Sequence, residues 1–174
     1  MSMIFKFRML SDENDGFIRE YEVPYDMNLL DFNDFICRDL KYESGVMASF
    51  FTSDAMWNKL DEFTIADMGE QESFAPRTMS SVSLGQIIHK NKDRLIYVFD
   101  ILSDRAYYLE LIEAKRQEEG VRYPRVTLSE AEPSDQFEAQ TENDGSASIF
   151  DEVMEEFGDF GGYGSDDDYS DDDY

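Results

Sequence analysis

The run Asp93–Glu113, DRLIYVFDILSDRAYYLELIE, is the most apolar long stretch of the chain, and it dictates an interior sheet. Leu95, Tyr97, Phe99 and Ile101 fall on one face of an extended backbone; Ile96, Val98 and Asp100 fall on the other. Both faces are largely apolar, the pattern of a strand covered on two sides. β-branched and aromatic residues make a helix the poorer choice. Ser103-Asp104 offers a turn, because both side chains can hydrogen-bond the local backbone. Tyr107, Leu109 and Leu111 then alternate with Tyr108, Glu110 and Ile112 in a return strand. The helix formers in Ala106–Gln117 leave a helix open as the alternative; the alternation favours the strand.

A second hairpin stands at the N-terminal end. Met3–Leu10 alternates, Asp15-Gly16 is a strong hairpin dipeptide, and Phe17–Val23 alternates again. If paired residues have numbers summing to 28, Lys6 meets Glu22 and Arg8 meets Glu20 on one face. Phe5 then meets Val23 and Phe7 meets Tyr21 on the other. Met9 opposite Arg19 is the imperfect pair. Pro24 ends the strand.

Asn28 can cap a helix, with Asp31 in its first turn, where the dipole favours an acid. Leu29, Phe32, Phe35, Ile36 and Leu40 recur at helical spacing and read as core, as does Cys37. Met47–Thr52 reads as a third strand and Leu60–Ile65 as a weaker fourth, with Trp57 just before it. Glu70–Met79 contains Pro76 and polar residues and reads as a loop. Ser83 caps a short helix, LGQIIHK. The expected fold is therefore α+β: a mixed or antiparallel sheet in the order ββαββ, short helix, ββ, with helices packed on one face.

Charge divides the chain in two. Residues 128–174 hold 17 of the 40 acidic residues and no Lys, Arg or His. The expected organisation is an α+β body over 1–127 and an acidic tail over 128–174. Like-charge repulsion and Gly, Ser and Asp content predict a tail disordered in isolation. Direct nucleic-acid binding needs cations that displace phosphate counterions, and neither part supplies a basic patch. With one cysteine, Cys37, no intramolecular disulfide forms, which suits a reducing cytoplasm. MSMIFKFRML has no apolar h-region, so neither a signal peptide nor a membrane span is expected.

Catalytic motifs are scarce. A Ser or Cys nucleophile needs a base beside it, and the sole imidazole, His89, sits at a polar helix end. One His and one Cys do not make a zinc site. No P-loop, dinucleotide motif or nucleophile elbow is present, and no cofactor is expected. Asp100 and Asp104 bracket a turn; with Glu62 or Asp67 they offer oxygen ligands to Mg²⁺ or Ca²⁺, against the plainer role of capping the turn.

Several of these residues carry a resemblance. Tyr97-Val98-Phe99-Asp100, Asp104 and Leu109-Glu110-Leu111, followed by Tyr123-Pro124-Arg125, resemble the core of the plasmid pRiA4b ORF-3-like family. Arg19, Val23-Pro24, Leu30, Phe32, Ile36 and the Phe50-Phe51 pair are similar to its opening segment. The resemblance spans about residues 3–135. This chain departs from the family's Gly-Asp and Trp at the turn, which here are Leu102, Ser103 and Arg105. Val126 stands where the family usually has Cys, and the family's double proline is reduced to Pro133. The resemblance implies an α+β domain, often found on plasmids or among transposon passengers, and implies no established reaction.

Within the tail, Ile149, Phe150, Val153, Met154, Phe157 and Phe160 recur at helical spacing, with Asp151 and Glu152 on the N-terminal side. This is the pattern of a helix over 149–160 that forms when an apolar groove is offered. The groove can belong to a basic partner protein or to the chain's own domain; the third reading is residual stickiness without a partner. The leading expectation is a cytoplasmic, non-enzymatic protein-interaction domain with an acidic partner-binding tail. The alternatives are a mobile-element accessory protein whose tail mimics nucleic acid, or a metal-assisted enzyme using Asp100 and Asp104. Oligomeric state is left open.

Overall fold

The computed structural model describes residues 2–67 and 77–137. Eight strands form one sheet. In chain order they are β1 (Met3–Ser11), β2 (Ile18–Pro24), β3 (Ser49–Ser53), β4 (Lys59–Thr64), β5 (Arg77–Thr78), β6 (Arg94–Asp100), β7 (Arg105–Arg116) and β8 (Arg125–Glu130). Across the sheet the order is β5-β4-β3-β6-β7-β1-β2-β8. All neighbours are antiparallel except β4 and β5. Helix α1 (Leu29–Leu40) has twelve residues and α2 (Leu84–Ile87) has four.

The class expected from sequence is corrected by this count. The molecule is predominantly a large mixed sheet with one substantial helix, and the expected ββαββ-short helix-ββ order omits two of its strands. β5 has two residues, too few for any alternation to register. β8 carries Val126 and Leu128 in an otherwise polar stretch behind Pro124, so its apolar signal is weak. The loop expected at Glu70–Met79 also yields β5 and a 3-10 turn at Met79–Ser81.

The first hairpin pairs in the register its charges specify. Lys6 faces Glu22, Arg8 faces Glu20, Phe5 faces Val23, Phe7 faces Tyr21 and Met9 faces Arg19. On one face, Glu20 takes Arg8 at 2.8 Å and Lys6 at 3.4 Å. Glu22, also on that face, is buried and takes Lys115 at 2.8 Å and Arg125 at 2.7 Å. On the other face the aromatic residues join the core beneath α1.

Asn28 caps α1: its Oδ1 accepts from the Asp31 N–H at 2.8 Å. Lys41 closes the helix in the left-handed region, φ 60°. Leu29, Phe32, Phe35, Ile36, Cys37 and Leu40 are all buried. Phe32 stacks on Phe50 of β3, centroids 5.6 Å apart, and lies 5.6 Å from Phe7 of β1. Asn33 is a polar residue on the same buried face, and it accepts a hydrogen bond from Tyr97 Oη at 2.6 Å.

β6 is buried on both faces, as its composition requires. Ile96 and Val98 with Ala106 of β7 form a small second cluster, packed by Phe51, Trp57 and Tyr108. Trp57 meets Tyr108 edge-on at 5.2 Å, and the Arg94 guanidinium lies 4.3 Å from the Trp57 ring.

The compact unit runs on to Phe137. Residues 128–137, assigned to the tail from charge alone, thus include the end of β8 and an irregular segment that crosses the end of the sheet. The tail helix expected over 149–160 lies outside the described residues.

Candidate functional site

The irregular segment, residues 131–137, is a strap fastened through its backbone. Arg19 on β2 is buried, and its Nη1 donates to the carbonyls of Glu130 and Ala131, both at 2.9 Å. Tyr42, just past α1, donates to the Ser134 carbonyl, and the Ser134 N–H donates to Tyr107 Oη at 3.1 Å. Arg105 at the start of β7 donates to the carbonyls of Asp135 at 2.9 Å and Gln136 at 3.3 Å. The Gln136 amide then pairs with the backbone of Glu43: Oε1 accepts from its N–H at 2.7 Å, and Nε2 donates to its carbonyl at 2.9 Å.

Arg105 is the junction of this arrangement. Its Nε and Nη2 form a two-pronged bond with Glu13 in the first hairpin turn, at 2.6 and 3.0 Å. Asp100 lies 3.5 Å from Nη1, and the guanidinium stands 4.9 Å from the Phe99 ring. The bond from Arg105 holds the Glu13 carboxyl below its ordinary range, against the opposing effect of burial. Arg19 is similarly placed, 3.2 Å from Asp39 and 4.5 Å from the Phe17 ring. Tyr21 Oη shares that carboxylate at 2.6 Å, and burial pushes its phenol well above the usual value.

Asp100 and Asp104, the candidate metal ligands, are committed elsewhere. Asp100 Oδ1 accepts from the Ser103 N–H at 3.3 Å, and its Oδ2 faces Arg105. Asp104 has φ 53°, and its Oδ1 takes Lys59 at 2.5 Å. That bridge ties the β6–β7 turn to the β3–β4 hairpin. Glu62 lies on β4, and Asp67 is at the margin of the described residues. Among the described residues no three His, Cys, Asp or Glu side chains converge as a metal site would require.

The other sequence candidates are also separated. Cys37 is buried against Tyr97 Oη at 3.4 Å, and burial pushes its thiol above the ordinary value. His89 is exposed, and its backbone N–H donates to Asp93 Oδ2 at 2.8 Å. His89 lines a cleft of about 900 Å³ with Phe51, Leu60, Glu62, Arg77 and Gln86. Arg94, on the same wall, is occupied by Glu110 at 3.0 Å and the Ala55 carbonyl at 2.6 Å. The cleft mixes acids and bases, and among the described residues no nucleophile hydrogen-bonds the imidazole.

Sequence reasoning missed Arg19, Tyr42, Arg105 and Tyr107 as a group. One signal was present: Arg19 opposite Met9 puts a cation on the apolar face of a strand. Such a residue must find buried partners.

These features define a sheet domain whose last described segment is pinned by two buried side chains, Arg19 and Tyr107, and two half-buried ones, Tyr42 and Arg105. The chain belongs to the plasmid pRiA4b ORF-3-like protein family, whose model matches residues 4–159. A solved structure, a protein of unknown function from Methanosarcina mazei Go1, is similar with a TM-score of 0.60 at 16% identity. The match covers 74% of this chain and 70% of that one. No curated protein matches. The structural likeness carries the fold alone. The Tyr123-Pro124-Arg125 segment serves the sheet: the Tyr123 ring stands 5.6 Å from the Arg125 guanidinium, and Arg125 bonds buried Glu22. Among the described residues no helix is long and apolar enough to cross a membrane.

Proposed function

We propose that this chain is a cytoplasmic, non-enzymatic interaction protein that presents an acidic, aromatic-bearing tail to a basic partner. The observation that carries the reading is the strap. Arg19, Tyr42 and Arg105 grip the backbone up to Gln136, at the end of the folded body. After Phe137 come 14 acidic residues and no basic one, with Ile149, Phe150, Val153, Met154, Phe157 and Phe160 at helical spacing among them. A polyanion accelerates encounter with a cationic surface, and the apolar residues supply the contacts that hold it. Among the described residues, the Asp100 and Asp104 carboxylates face Arg105 and Lys59.

The test is affinity capture from the native host's extract, using the full chain and a Phe150→Ala/Phe157→Ala variant. Retention that falls with added salt and is lost in the variant is expected. Equal retention by both chains overturns the reading.

A further inference from the structure

We propose that residues 131–137 are a latch that opens as a unit while the sheet beneath stays folded, with Arg105 as its pin. The proposal deepens the tail reading above, since the latch is the joint between body and tail.

The strap lacks what makes a segment hard to lift. Ala131, Glu132 and Asp135 are exposed, Pro133, Ser134 and Gln136 are half-buried, and Phe137 is 56% exposed. It therefore buries no large apolar side chain. Segments with few buried apolar contacts open locally, well below the cost of global unfolding.

Its fasteners also survive its departure. The main expense of breaking a buried hydrogen bond is the donor or acceptor left unpaired. Arg105 retains Glu13, Asp100 and the Phe99 ring. Arg19 retains Asp39 and the Ile18 carbonyl at 3.1 Å. Tyr42 and Tyr107 retain each other, their hydroxyl oxygens 2.7 Å apart. Each anchor has a partner in the body and a second in the strap, so opening strands no buried charge. The strap is gripped chiefly at its carbonyls, and of its side chains Gln136 adds two bonds to the Glu43 backbone.

Two amides report the latch from opposite sides. The Ser134 N–H donates to Tyr107, and the Glu43 N–H donates to Gln136. Residue-resolved hydrogen exchange on the full chain should show both exchanging together and far faster than the amides of the β1–β7 ladder, with little dependence on denaturant. Exchange as slow as the ladder, with the ladder's denaturant dependence, overturns the proposal.

Arg105→Lys keeps a cation beside Glu13 but cannot span the carbonyls of Asp135 and Gln136. It should accelerate both reporter amides by about tenfold, the scale of one lost hydrogen bond, while the melting temperature holds. No acceleration, or acceleration of the ladder by the same factor, refutes the pin. Gln136→Ala, on the strap itself, should accelerate Glu43 alone among the body amides. No partner enters these measurements. A latch that stays shut refutes this inference whatever the tail binds, and failure of partner capture leaves it standing.

Discussion

Individual buried polar residues in this sheet are there because each completes another. Asn33 sits at 1% exposure on the core side of α1, where an apolar residue is the default. It is tolerated because Tyr97 Oη donates to it at 2.6 Å, and Cys37 Sγ lies 3.4 Å from the same hydroxyl. Tyr97→Phe should therefore cost about 1–3 kcal/mol, the scale of an orphaned buried acceptor. Adding Asn33→Leu should recover part of that loss, so the two changes will be non-additive in chemical denaturation. Strict additivity would mean the two residues contribute separately. Arg19 follows the same logic. Its position opposite Met9 marks it in the sequence as an anomaly, but its partners, Asp39 and the carbonyls of residues 130 and 131, are too distant along the chain to be inferred. Tyr42 carries no such mark, and its bond to Ser134 closes a separation of 92 residues.

Among the elements, legibility tracks how much of each element's job is local. The β1–β2 register is readable because its charges alternate on one face and its apolar residues on the other, so a slip of one residue would bury Lys6 and Arg8. Helix α1 is readable from its cap and its stripe. Asn28→Ala should cost about 1 kcal/mol by releasing the Asp31 N–H. Phe32→Ala should cost roughly 3–5 kcal/mol, because the buried ring packs against both Phe7 and Phe50. Thermal or urea melts of both variants check the ratio; equal losses would mean α1 is held by its cap as much as by its face. β5 and β8 are unreadable for the opposite reason. β5 exists only as an addition to β4, and β8 as an addition to β2, so their signal lies in another strand's free edge. The strap is further still from local information, since its conformation is specified by side chains on β2, β7 and the end of α1.

At the scale of the whole molecule, the acidic excess and the ion-paired sheet face respond oppositely to acid. Protonating carboxylates relieves repulsion in a chain of net charge -25. A carboxyl with the same pKa in both states, however, contributes nothing to the pH dependence of stability. The linked groups are those the fold perturbs. Glu13 is held low by its bond to Arg105 and Glu20 by its bond to Arg8; at Glu22 burial pushes the carboxyl up, but Lys115 and Arg125 outweigh it. Each folded pKa thus lies below the unfolded value of 4.5. The stabilisation they supply is fully present above that value and is lost as pH falls through the folded values. Melting temperature should therefore be nearly flat from about pH 7 to 5 and fall steeply below about 4.5. Glu22→Gln separates the linked group from the general charge. It removes the anion shared by Lys115 and Arg125, so the variant should be less stable than the parent at neutral pH. It should also lose less on acidification, because one proton-uptake site is gone, and the two melting curves should converge as pH falls through the folded value of Glu22. Curves that stay parallel through the acid limb would show that Glu22 is not linked to folding, and that the network on the outer face follows the fold without holding it.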